Sequence, residues 1–150
     1  MEIETTRFGT VEVEEDKIIT LARGILGFPE AKRFVLIPHR PDSPFHWLQS
    51  VDHPHLAFVV IEPGIFFSDY EFEIDDETQA LLGVESPHEV TVLVIVTFHQ
   101  GGKEVTANLL GPVVINTATR VGCQMVLDPN RYPVRFPLSK ELRRLQKGGS

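Results

Sequence analysis

The sequence predicts an all-β single domain with one or two short helices, and three observations predict it. Apolar residues recur at every second position or in short unbroken runs of strand length. Turn signals built from Gly, Pro, Asn and Asp return at close intervals along the 150 residues. Helix start and stop signals coincide best in one internal segment. A barrel and a sandwich both satisfy this pattern. A chain of 16.9 kDa buries roughly 70% of its unfolded surface, so its core needs no disulfide or metal. With no internal repeat or linker, residues 1–147 read as one domain, and Gly148-Gly149-Ser150 as a loose tail.

Taken in order, Val11-Glu12-Val13 alternates, Glu15-Asp16-Lys17 breaks the run, and residues 18–21 resume it, which predicts a hairpin. Gly9 marks a bulge or a second tight turn. Gly24 and Gly27-Phe28-Pro29 form a loop. Residues 33–38 are an apolar run ended by proline, and residues 39–44 are a loop. Residues 45–51 and 56–61 read as strands joined through Asp52-His53-Pro54-His55. Pro63-Gly64 is a turn, and residues 66–74 are again extended. Residues 75–83 are the best helix: Asp75 or Asp76 caps it, acids occupy its first turn, and Gly83 ends it. Residues 90–98 and 104–110 flank Gln100-Gly101-Gly102-Lys103, a hairpin signal. After Gly111-Pro112, residues 113–116 and 120–127 are the last strands. Residues 139–147 are a second short helix, with Ser139 as cap.

Charge is unevenly spread. The net charge is −7, made of −1 over residues 1–40, −11 over 41–102 and +5 over 103–150; no Lys or Arg lies between Arg40 and Lys103. Within the middle block, Asp69, Glu71 and Glu73 alternate with Tyr70, Phe72 and Ile74. On a strand, three carboxylates then share one face at a spacing of about 6.7 Å. Their mutual repulsion in water is only about 0.6 kcal/mol per pair, so an ordinary solvated face tolerates the row. The sharper reading is a docking surface for a basic protein. The acidic balance argues against nucleic acid as a direct partner. Arg131, Arg135, Lys140, Arg143, Arg144 and Lys147 form a basic C-terminal block, but no aromatic stacking pattern accompanies them. The acidic N-terminus does not resemble a signal peptide, and no apolar run approaches the roughly 20 residues of a membrane span. The chain therefore reads as soluble and cytoplasmic, with no membrane partner.

Four sets of side chains invite a functional reading. Alternation puts Phe45 and Trp47 on one face of their strand, either as core anchors or as an aromatic contact for a partner. The interface expectation is that Phe45 and Trp47 supply the apolar part while Asp69, Glu71 and Glu73 steer a basic partner. His53-Pro54-His55 resembles the histidine pair of cupin metal sites, which gives the alternative of a small β-barrel metal- or ligand-binding protein. The next carboxylate, Glu62, is too distant for that pattern, and Pro54 disrupts strand pairing. Cys123, the single cysteine, lies in an apolar run and reads as a buried structural thiol. No nucleophile–base motif or phosphate-cradling loop is present, so no catalytic residue, cofactor or metal is expected.

The order of motifs resembles the flagellar assembly factor family FliW. The likeness runs through Arg7-Phe8-Gly9-Thr10-Val11-Glu12-Val13, Ile18-Ile19-Thr20 and Gly24-Ile25-Leu26-Gly27-Phe28-Pro29, then Arg33-Phe34-Val35-Leu36. Its most specific stretch is Ser43-Pro44-Phe45-His46-Trp47-Leu48-Gln49-Ser50-Val51-Asp52, followed by Leu56-Ala57-Phe58-Val59-Val60. Ala107-Asn108-Leu109-Leu110-Gly111-Pro112-Val113-Val114-Ile115-Asn116 and Tyr132-Pro133-Val134-Arg135 continue it. Cys123 and the basic tail depart from it. The resemblance implies a small antiparallel β-barrel-like fold without catalytic activity; the free chain is expected to be monomeric. It also implies two alternative partners, flagellin and the RNA-binding carbon storage regulator CsrA. Binding CsrA would relieve its repression of flagellin translation, and free flagellin would release it again.

Overall fold

Several apolar runs in this chain are too continuous to alternate: Phe34-Val35-Leu36-Ile37, Phe58-Val59-Val60-Ile61 and Val113-Val114-Ile115. Such runs belong to strands buried on both faces, and the fold buries them that way. The structure, a computed structural model, describes residues 1–39, 41–67 and 70–138. Its strands are β1 (Glu2–Thr5), β2 (Gly9–Glu12), β3 (Ile19–Leu21), β4 (Arg33–Pro38), β5 (His46–Ser50) and β6 (Ala57–Ile61), then β7 (Val90–His99), β8 (Glu104–Ala107), β9 (Val113–Asn116), β10 (Val121–Gln124) and β11 (Phe136–Pro137). One helix, α1 (Asp76–Leu82), precedes β7.

Seven strands close a barrel in the order β7-β6-β5-β4-β3-β10-β9, with β9 returning to β7. Its pairings are antiparallel except β10 with β3, which run parallel. The ten-residue β7 is the branching strand. Its first four residues pair with β9 and its last four with β8, which carries β11 at its outer edge.

Side chains from six of the seven strands meet in one cluster, the barrel interior: Ile19, Leu21, Phe34, Leu48, Val60, Leu93, Val113 and Ile115. The seventh strand, β10, offers Gly122, which pairs with both Leu21 and Ile115. A Cβ there would stand 2.8 Å from the Val114 carbonyl oxygen and 3.0 Å from the Leu21 and Ile115 side chains. Those two larger residues fill the volume that a side chain on β10 would need.

The outer faces are apolar too, and three pieces of chain cover them. The β1–β2 hairpin lays Ile3 and Val13 on Val35 and Val51. Helix α1 and the residue after its stop lay Leu82 and Val84 on Val114, Cys123 and Met125. The C-terminal stretch and an aromatic loop bury Phe45, Val59, Ile61, Val94 and Val96 beneath Tyr132, Leu138, Phe66, Phe67 and Phe136. Two polar side chains fasten these layers. Asn116 donates to Leu82 O at 2.8 Å and accepts from the Ala118 and Thr119 amides, tying the helix end to the β9–β10 turn. Gln49, fully buried, donates to the carbonyls of Ser50, Pro54 and Leu56 and holds the β5–β6 turn.

Helix α1 starts and stops where its sequence says. Asp75 accepts the Thr78 amide at 2.7 Å, and Gly83 ends the helix in the left-handed region at φ 69°. The turn at Gln100–Gly102 takes positive φ at all three residues; Gly101 and Gly102 adopt it without a side-chain penalty, and Gln100 enters it at φ 52°. Two expectations are corrected. Residues 11–13 and 18–21 do not form a hairpin: β2 pairs with β1, and Glu15–Lys17 is a 3-10 turn leading into β3. The hairpin turn lies one element earlier, where Thr5 Oγ1 accepts from the Phe8 amide and donates to Gly9 O, each at 2.8 Å. Of residues 66–74, expected to be extended, Phe66 and Phe67 lie in a turn, where the Phe67 amide donates to Pro63 O and the Tyr70 amide to Phe67 O, and residues 70–74 keep their alternating burial but join no sheet. The helix expected over residues 139–147 and the tail 148–150 lie outside the described residues.

Candidate partner-binding surface

Residues 70–74 form a strap between the aromatic cover and α1. Their inward side chains pin them down. The Tyr70 hydroxyl donates to Leu109 O at 2.5 Å, and its ring meets Tyr132 edge-on at 5.2 Å. The Tyr132 hydroxyl donates to Glu71 O. Burial, and to a lesser degree the neighbouring Tyr132, pushes the Tyr70 phenol far above its usual range, so it stays protonated as a donor. Phe72 and Ile74 pack on the α1 cluster, and Gln79 Nε2 donates to Ile74 O at 2.6 Å. The intervening Glu71 and Glu73 are exposed. Asp69 lies outside the described residues.

Beside the strap lies a groove of about 860 Å³, bounded by residues 70–76, Gln79, residues 84–86 and the start of β7. Half-buried or buried Phe72, Ile74, Val84, Val90 and Val92 make it apolar, while exposed Glu71, Glu73, Asp75, Asp76 and Glu85 rim it. No Lys or Arg is among its lining residues. Hydrogen bonds from the Thr78 side chain and amide hold the Asp75 carboxyl below the usual carboxylate range. Nearby, the Glu85 and Ser86 amides, each at 2.7 Å, do the same for Glu89. These carboxylates are ionised at neutral pH. Such a surface attracts cations along its rim and offers an apolar strip between the carboxylates.

The structure separates the two aromatic candidates. Phe45 and Trp47 do share the outer face of their strand. However, Phe45 is fully buried in the outer cluster, so it presents no surface to a partner and the interface expectation is corrected for it. The outer face of this barrel is not a solvent face, because the aromatic loop and C-terminal stretch cover it. Trp47 is half-buried. The Arg7 guanidinium sits 4.2 Å from its ring centroid, and Phe8 meets it edge-on at 5.8 Å. The hairpin turn thus caps the indole and leaves part of it open. Glu71 and Glu73 line the groove and Trp47 does not, so the structure does not merge them into one site.

Sequence reasoning read Asp75-Asp76 only as a helix start and missed the groove's apolar lining at Val84, Val90 and Val92. The usable signal was an eleven-acid block without a single Lys or Arg. His53 and His55 lie in the β5–β6 turn, and among the described residues no three His, Cys, Asp or Glu side chains are grouped to hold a metal. Cys123 is buried on the outer face of β10, and burial pushes its thiol up, the reverse of an activated nucleophile. No helix among the described residues is long and apolar enough to cross a membrane.

Comparison with known proteins agrees with this architecture. Residues 2–138 match the family described as FliW protein. The chain is 44% identical over 158 residues to the flagellar assembly factor FliW of Magnetococcus marinus, covering 99% of this chain and 96% of that one. It is 40% identical over 141 residues to the Bacillus subtilis protein of the same name, covering 94% and 99%. A crystal structure of the flagellar assembly factor FliW superimposes with a TM-score of 0.84 at 37% identity, covering 93% of this chain and 99% of that one. Sequence, barrel topology and solved relative converge: the chain belongs to the FliW family.

Proposed function

We propose that this chain is a non-enzymatic flagellar assembly factor that binds flagellin and the RNA-binding regulator CsrA as alternative partners. By holding CsrA it relieves repression of flagellin translation, and flagellin reverses this by taking CsrA's place. It does so in the cytoplasm, as a monomer when free, and without contacting nucleic acid itself. Family membership over residues 2–138 supports the reading. The geometric observation that carries it is the acid-rimmed apolar groove beside exposed Glu71 and Glu73. A regulator that binds RNA needs basic surfaces, and this groove is their electrostatic complement. The half-open Trp47 ring supplies an aromatic contact, with Phe45 supporting it from below. The same acids repel phosphate.

The test is binding of each purified partner alone to the purified chain, with circular dichroism confirming a folded sample. The reading expects a stable complex with flagellin and, separately, with CsrA. Binding to neither would overturn it.

A further inference from the structure

The groove is bounded by main chain that lacks strand partners on both sides. On its β6 side, β7 pairs only over Val94–Val96, because β6 ends at Ile61. Residues 90–93 pair with β9 on the opposite side, so their β6-facing edge has no strand beside it. Facing that edge is the strap. Among the described residues, none accepts a hydrogen bond from the amides of Glu71, Phe72, Glu73 or Ile74. Tyr70, Phe72, Val90 and Val92 together line the groove of about 860 Å³ and a second hollow of about 260 Å³ next to Glu62, Pro63 and Gly64. Two extended edges therefore flank one slot.

We propose that this slot takes an extended, basic polypeptide segment as an added β-strand, hydrogen-bonded to the strap and to the start of β7. Main-chain groups supply the register in strand addition, and side chains choose the occupant. Here the choice is legible. In an inserted strand, alternate side chains point to opposite faces. One set meets Phe72, Val84 and Val92 and must be apolar. The other meets Glu71, Glu73 and Glu85 and must be Lys or Arg. The occupant is thus a stretch in which a basic residue alternates with a β-branched one, unfolded or at a sheet edge in its parent protein. The inference rests on reading the protein as a binder of basic polypeptides, and it adds how one partner segment is held.

The experiment is amide NMR of the full chain titrated with a nonapeptide of alternating lysine and valine. The same peptide is then used N-methylated at alternate residues, in each of the two phases. N-methylation preserves charge and side chains but removes hydrogen bonding along one edge. Expected are shifts concentrated at residues 71–74 and 90–92, salt-sensitive binding, and at least a tenfold weakening by N-methylation in either phase. Equal binding of plain and methylated peptides would overturn the proposal, because charge alone would then suffice. Shifts confined elsewhere would overturn it as well. So would release of residues 139–150 from the slot on titration, which would assign the slot to the chain's own basic tail. Neither flagellin nor CsrA enters this test, so its failure leaves the proposed function standing.

Discussion

Replacing Phe34 by alanine should lower the unfolding free energy by about 3–5 kcal/mol, the range for emptying a buried aromatic site. Phe34 is fully buried in the barrel interior and packs on Phe58 at 6.4 Å between ring centroids. Its strand neighbours on that face are Ile19 and Ser50. Around a closed barrel each of these is held by the next pair, so the walls cannot collapse into the void without breaking a ladder. A domain of this size is stable by only about 5–15 kcal/mol, so the loss removes a large share. Phe28→Ala is the control. Phe28 is 41% exposed, and its truncation should cost well under half as much. Urea unfolding of both variants decides the point. Equal losses would mean that the interior cluster is not the structural core.

Reversing charge at Glu71 and Glu73 to lysine should slow association with a basic partner at least tenfold at low ionic strength. Their carboxylates lie in no described ion pair, and both side chains are exposed, so stability should move by no more than about 0.5 kcal/mol. Long-range steering depends on the summed field, and these two residues belong to a rim of five carboxylates with no Lys or Arg among the lining residues. Screening sets the signature. The Debye length is about 10 Å at 0.1 M salt and about 3 Å at 1 M, so the difference between variant and parent should shrink as salt rises. Adding Asp69→Lys should extend the trend. Stopped-flow association with purified CsrA across a salt series measures it. Unchanged rates in the folded variant would remove Glu71 and Glu73 from the interface without touching family membership.

What the sequence reveals about this fold depends on how local the cause is. The Gln100-Gly101-Gly102-Lys103 hairpin and the Asp75-to-Gly83 helix are legible because φ preference and capping act within a few residues. Partner choice is not local. The break at Glu15-Asp16-Lys17 looks like a hairpin turn, yet the Thr5–Gly9 turn closes the hairpin and β3 crosses to β4 and β10. Alternation likewise reports which way side chains face and not what the backbone pairs with. The strap shows Tyr70, Phe72 and Ile74 inward and Glu71 and Glu73 outward without belonging to a sheet.

The site was legible in part for the same reason. Alternation places Phe45 and Trp47 on one face, but only the packing of the aromatic loop and C-terminal stretch shows that this face is covered, burying the first and leaving the second half open. The acidic block was visible as composition. Its shape, a groove between the strap and a stretch of β7 with no β6 partner, is set by where β6 stops at Ile61 and where the chain re-enters as β7 at Val90, a long-range fact that no window of sequence contains.

The central claim is exchange of partners on a scaffold that performs no chemistry. Preform the complex of this chain with CsrA carrying a fluorescent label, titrate it with unlabelled flagellin, and follow anisotropy together with the composition of the eluted species. The account predicts stoichiometric loss of CsrA as flagellin binds, with no lasting ternary species. Flagellin binding that leaves CsrA in place, in a stable three-component complex, would contradict it.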